Sequence, residues 1–280
     1  MISFGPGGNS TSFGNKKFPE ELPAYLASMS LNGYEIECGR GVRISEKTYA
    51  LLPALAEKNG ICVSIHSPYY ISLSGELEET RLKSVGYICE TALAAHRLGI
   101  KKVVVHSGSC AKMTREQALL LAKDTLKRAQ AALDENGLSE IILCPETMGK
   151  INQLGTLEEV VELCTVDERF LPTVDFGHLN ARTLGAIKTK EDYAFILDSI
   201  ENHLGFERLK SFHVHFSKIM YTVGGEKKHI TFEDSEYGPD FEPLMMLFAE
   251  RRLEPSVICE SDGTQAEDAA QMKKCYERYL

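Results

Sequence analysis

Six stretches of the chain each end an apolar run in a side chain that can bind a metal ion. They are Ser64-Ile65-His66, Val104-Val105-His106, Cys144-Pro145-Glu146, Thr173-Val174-Asp175, His213-Val214-His215 and Ile258-Cys259-Glu260. Imidazole and carboxylate together suit zinc, with manganese as the alternative, and a carboxylate can bridge two ions. A single histidine after an apolar run is more often a hydrogen-bonded structural group. Six ligand-type residues in succession make a pattern that such a reading does not cover. His178 follows Asp175 by three positions, and His229 lies in the longest stretch without a repeating pattern, Lys218–Pro239. His213 lies two residues before His215, so both face one side of a strand. Its plainer reading is a core histidine. His96 and His203 fall in helical stretches and take no role.

Elements that would position these residues alternate along the chain. Strands are expected at Ile2–Gly5, Tyr34–Cys38, Cys62–His66, Lys102–His106, Glu140–Pro145, Leu171–Asp175, Ser211–His215 and Ser256–Glu260. Helical patterns are expected at Glu20–Met29, Glu46–Lys58, Glu76–Leu98, Thr114–Asn136, Leu157–Cys164, Lys190–Asn202, Phe241–Arg251 and Ala266–Tyr279. Eight β-then-α units predict a parallel sheet with helices outside it. Val103-Val104-Val105 is continuously apolar, as a strand covered on both faces should be. Eight units fit a closed α/β barrel, a TIM (β/α)8 fold, spanning residues 1–280 as a single domain. In that fold functional groups collect at the C-terminal ends of strands, where the six ligand-type residues fall. Lys218–Pro239 then reads as an active-site loop.

Composition sets outer bounds. The 280 residues are 43% hydrophobic and 25% charged, which is ordinary for a globular chain. Eight cysteines occur without a Cys-x-x-Cys pair, and most lie in apolar runs such as Ile61-Cys62-Val63. They read as reduced thiols rather than as a disulfide framework. No basic-then-apolar leader opens the sequence, and no window has about 18 uninterrupted apolar residues. These features predict a cytoplasmic protein without a membrane span, expected as a monomer. The net charge of −9 argues against a basic nucleic-acid-coating surface. It does not exclude a nucleic acid, because bound metal ions would carry positive charge locally.

The segments His66-Ser-Pro-Tyr69, Val-Val-His106-Ser-Gly-Ser, Pro-Glu146-Thr-Met-Gly, Val-Asp175-Phe-Gly-His178, His215-Phe-Ser-Lys218 and Cys-Glu260-Ser occur in this order, one per strand. With them the chain resembles the endonuclease IV family of zinc-dependent apurinic/apyrimidinic endonucleases, within the xylose isomerase-like barrels. The resemblance implies two or three zinc ions. It implies one ion on His66, His106 and Glu146, and a second on Glu146, Asp175, His215 and Glu260, with Glu146 as the bridge. It implies a third on His178 and on an Asp-x-His motif after strand seven. Here that segment reads Gly225-Glu226-Lys227-Lys228-His229. With His229 in the histidine place, Lys227 stands where the aspartate is expected, and a protonated lysine has no lone pair for a metal. Glu226 is the substitute ligand if the loop shifts. The loop after strand one, Gly5-Pro6-Gly7-Gly8-Asn9, lacks the family's histidine. The segment Glu37–Arg43 also differs from the family's DNA-penetrating loop.

The resemblance implies a hydrolase: a metal-dependent phosphodiesterase that cuts double-stranded DNA at abasic sites, in base excision repair. Glu146 and Glu260 would orient the attacking water and accept its proton. Tyr69, Arg40, Arg43 and Lys218 would meet the nucleotide or its phosphates. The alternative is a sugar isomerase or epimerase of the same superfamily, using Glu146, Asp175, His215 and Glu260 around one Mn2+. A binding protein without catalysis is the third class. So open and ligand-rich a mouth argues against it, because structural metal sites are closed.

Overall fold

The computed structural model describes residues 1–280. In chain order its elements are β1 (Ser3–Pro6), α1 (Leu22–Ser28), β2 (Gly33–Glu37), α2 (Glu46–Asn59), β3 (Cys62–His66), α3 (Glu78–Arg97), β4 (Lys102–His106) and α4 (Arg115–Glu135). There follow β5 (Ile142–Glu146), α5 (Leu157–Cys164), β6 (Thr173–Asp175), α6 (Phe176–Arg182), α7 (Lys190–Leu204), α8 (Phe206–Lys210) and β7 (His213–Phe216). The chain closes with β8 (Lys218–Thr222), β9 (Gly225–Ile230), α9 (Glu242–Glu250), β10 (Ser256–Cys259) and α10 (Gln265–Glu277).

Eight parallel strands run in the order β1-β10-β7-β6-β5-β4-β3-β2. The ring closes between β1 and β2 through Gly8 N–H to the Glu35 carbonyl at 2.9 Å and Asn32 N–H to the Phe4 carbonyl at 3.1 Å. Closure brings two glycines together: a Cβ on Gly5 would lie 1.8 Å from the Gly33 carbonyl oxygen. The result is the expected TIM (β/α)8 barrel.

Strand parity sorts the side chains. Val103, Val105, Leu143, Val174, Val214, Val257 and Cys259 face outward into the large apolar cluster shared with the helices. Val104, Cys144 and Leu171 form a separate small cluster. Val104 and Cys144 pair with each other and share strand parity with His106 and Glu146, on the inward face. The inward top layer is therefore occupied by the ligand-type residues. Helix starts are fixed locally. Thr114 with Gln117, Thr156 with Glu159 and Thr189 with Asp192 form reciprocal capping boxes, which satisfy otherwise orphaned N–H groups.

Several expectations need correction. Strand two ends at Glu37 rather than Cys38, and strand six starts only at Thr173 rather than Leu171, since Pro172 has no N–H to give the ladder. The 218–239 segment is not an irregular loop. It opens with the antiparallel hairpin β8–β9, which carries a register shift at Met220/Tyr221.

Candidate metal centre

The barrel mouth holds a cavity of about 420 Å³ lined by His66, Tyr69, His106, Glu146, Met148, Lys150, Gln153, His178, Glu226, His229 and Glu260. A cleft of similar size between α5, α6 and α7 contains none of these groups.

Glu146, at the end of β5, is the hub. His66 Nε2 and His106 Nε2 each lie 3.3 Å from its Oε2. His215 Nδ1 lies 2.9 Å from its Oε1 and 3.5 Å from Glu260 Oε1. Ligand atoms of His66, Glu146 and His215 lie within 4.8 Å of one another, as do those of Glu146, Asp175, His215 and Glu260. Asp175 caps α6 with Oδ1, which accepts the His178 N–H at 2.8 Å. Its Oδ2 is buried without a hydrogen-bond partner.

A third group is His178, Glu226 and His229. His178 Nε2 lies 3.4 Å from Glu226 Oε2, and His229 Nε2 lies 4.0 Å from Oε1. Residues 226 and 229 would face opposite sides of a regular strand. In β9 the ladder pairs Tyr221 with Glu226 but Met220 with Lys228, which leaves Lys227 as the extra, exposed residue of a bulge. The bulge adds one to the count and turns Glu226 and His229 to the same side. Lys227, in the aspartate's aligned place, points to solvent.

The hairpin is held in place by the loop after β5. Glu226 N–H donates to the Gly149 carbonyl and Ile151 N–H to the Gly224 carbonyl, each at 3.1 Å. Arg115 and Arg182 clamp that loop by donating to the carbonyls of Ile151 and Gln153. Gly149 is required by close approach, since a Cβ there would lie 2.6 Å from Glu226 Cβ and 2.8 Å from His178 Cδ2.

The donor set fits divalent ions. Besides the orphaned Asp175 Oδ2, several rings have one nitrogen tied back to the protein and the other turned into the cluster. His66 Nδ1–H donates to the Ser67 carbonyl at 2.8 Å and His178 Nδ1–H to the Thr147 carbonyl at 3.0 Å. His229 Nδ1 pairs with Ser217 Oγ at 2.8 Å. Such outer partners fix tautomer and orientation in metal sites.

Electrostatics reflect the crowding. Burial opposes the His66 imidazolium, but Glu146, Glu37 and Glu35 raise it to about 10. Burial likewise opposes the charge on His178, yet Asp175, Glu226 and Glu146 lift it to about 9. Burial also disfavours the Glu146 carboxylate, but His215, His106 and His66 hold it well below the ordinary range. Glu260 is pushed well above that range by burial, against the pull of His215 and with Glu146 and Asp175 adding to the rise.

Other expected residues fall differently. Tyr69 stands at the mouth, about half exposed, with its ring stacked on His106 at 5.3 Å and its hydroxyl donating to Glu37 Oε2 at 3.0 Å. Arg40 and Arg43 line an adjoining cleft that shares Tyr69. Lys218 is a correction. Its ammonium donates to the carbonyls of Phe232 and Asp234, which ties down the segment after the hairpin, and it does not line the mouth. His213 is buried in the barrel as expected of a core residue, with Nε2 2.9 Å from Glu35.

Glu35 and Glu37 did not stand out in the sequence. Both face inward from β2, and Glu35, Glu37 and Glu260 bring carboxylate oxygens within 4.8 Å of one another. The available signal was the alternation Gly33-Tyr34-Glu35-Ile36-Glu37, which puts both carboxylates on one face.

Comparison with known proteins agrees with this architecture. The chain is 32% identical over 251 residues to an uncharacterized protein of Methanocaldococcus jannaschii, covering 90% of this chain and 89% of that protein. It is 30% identical over 203 residues to a protein of Mycoplasma pneumoniae named probable endonuclease 4, covering 70% of this chain and 65% of the relative. A D-tagatose 3-epimerase-like protein of known structure superposes with a TM-score of 0.73 at 20% identity, covering 100% of this chain and 97% of the other. The family model described as the xylose isomerase-like TIM barrel matches residues 23–277, and the chain belongs to that family.

Proposed function

We propose that the protein is a metal-dependent phosphodiesterase of the endonuclease IV type that hydrolyses double-stranded DNA at abasic sites. The observation that carries this reading is the third ligand group, His178, Glu226 and His229, standing beside the two groups that share Glu146. A one-metal isomerase has no use for it. The partial likeness to the Mycoplasma protein named probable endonuclease 4 supports the same reading.

His66, His106 and Glu146 would hold one divalent ion, Glu146, Asp175, His215 and Glu260 a second, and His178, Glu226 and His229 a third. Zinc suits this mixture of imidazole and carboxylate, with manganese as the alternative. Such ions supply Lewis-acid activation of a phosphate and of water. The chain's own residues do the rest. Glu146 and Glu260 orient the attacking water and take up its proton. Tyr69, fixed by Glu37 and stacked on His106, walls the pocket on the side of Arg40 and Arg43. Those two guanidiniums would meet a flanking phosphate. A nucleotide lacking its base is the cheapest to turn into such a pocket, because little stacking is lost.

The test is cleavage of an abasic-site duplex by protein whose metal content has been measured. Activity lost in Glu260→Gln with ions retained is expected. Equal, background-level cleavage by the metal-loaded wild type and that variant refutes the reading. One specific observation favours a sugar epimerase instead: Glu146, Asp175, His215 and Glu260 make a complete four-ligand group by themselves. A single ion per chain, with epimerisation of a ketose, would establish that alternative.

A further inference from the structure

His215 has a carboxylate on each ring nitrogen. Nδ1 faces Glu146 and Glu260 at the mouth. Nε2 lies 2.7 Å from Glu35 Oε1, one layer deeper in the barrel. Glu35 is fully buried, and its carboxylate contacts are to the side chains of Ser64, His213 and His215. Its Oε2 accepts from Ser64 Oγ at 2.6 Å and lies 2.9 Å from His213 Nε2. Glu35 belongs to β2, separated from β7 in the ring by β1 and β10. It therefore reaches across the barrel interior to hold a ring on another strand.

An imidazole binds a metal through one nitrogen and carries its proton on the other, so the partner of that second nitrogen selects the tautomer. Nothing at the mouth would make the selection for His215, because Glu146 alone accepts an N–H as readily as it shares an ion. The geometry points to Glu35 as a positioning residue. It accepts a hydrogen bond from His215 Nε2–H, fixes the ring as the Nε2–H tautomer and presents Nδ1 to an ion shared with Glu146 and Glu260. Ser64 braces the second oxygen so that the first stays aimed at His215. The inference rests on the reading of His215 as a metal ligand.

The test compares the wild type with Glu35→Gln, which keeps the size of the side chain but not its two equivalent acceptors. Ions per chain are counted first for the wild type loaded with zinc, then with cobalt(II). No bound ion in the wild type overturns the metal reading itself. With ions present, Glu35→Gln is expected to hold the His215 ion about 10–100-fold more weakly against a competing chelator. Its cobalt absorption spectrum is expected to change, while the ion on His178, Glu226 and His229 is retained. A purely bracing role would lower the melting temperature of the chelator-treated protein and leave affinity and spectrum unmoved, and that result overturns the inference. Should Glu35→Gln fail to fold, 15N NMR of histidine in the zinc-loaded wild type gives the answer directly. An Nε2–H signal for His215, assigned by difference from His215→Gln, supports the inference, and an Nδ1–H signal overturns it.

Discussion

Removing the Glu226 carboxylate should empty the third ligand group, whereas removing Lys227 entirely should leave it intact. In β9 the two lie side by side, and only the bulge decides which faces the pocket. Glu226→Ala cuts the group from three ligands to two. Disturbing a residue that merely supports a ligand costs about 10–100-fold in metal affinity, so loss of the ligand itself is set at about 100-fold or more. At 1.4 kcal/mol per tenfold that is about 2.8 kcal/mol. Lys227→Ala should change affinity by less than about twofold, because the side chain is exposed and outside the cavity. Deleting Lys227 is the sharper perturbation. It leaves Glu-Lys-His with the ligands two apart, so in a regular ladder both still face the pocket. The assay is metal content by mass spectrometry after dialysis at a series of buffered zinc concentrations. A retained third ion in Glu226→Ala, or its loss in Lys227→Ala, would refute the parity argument.

Other expectations follow from the same geometry. Gly149→Ala should weaken the third ion selectively, because its Cβ would overlap Glu226 Cβ and His178 Cδ2. Overpacking of this kind costs about 1–3 kcal/mol, read as a lower melting temperature or weaker zinc retention, and the absence of both changes would contradict the close approach. The chelator-treated protein should lose stability as pH rises through about 9 to 10. His66, at about 10, and His178, at about 9, lie above their ordinary 6.5. Their contribution is complete below pH 6.5 and lost above their folded values. Urea midpoints between pH 6 and 10.5 check this, and a flat metal-free profile contradicts it. Zinc should remove the dependence by replacing those protons. Thr156→Ala removes the cap of α5 and should cost about 1 kcal/mol, measured by denaturant unfolding, with metal content unchanged.

The sequence by itself determined the barrel and most of its mouth. Parity did this: in strands, every second residue faces inward, so His66, His106, Glu146, Asp175 and His215 near strand ends had to face the interior at its mouth once the ring closed. Glu260, just past the end of β10, joins them there. The local pattern also located the helices, because caps and apolar periodicity are short-range signals. Only the tertiary structure decided the rest. Whether Glu226 or Lys227 faces the pocket depends on a bulge, and a bulge is set by how the hairpin docks on the 148–155 loop rather than by the residues of β9 alone. Lys218 looked like a substrate contact, but the fold places two carbonyls within reach of its ammonium. Glu35 meets His215 only because β2 and β7 face each other across the interior, a contact 180 residues apart in the chain. Strand periodicity reports which face a residue takes, and it carries no information about what stands opposite.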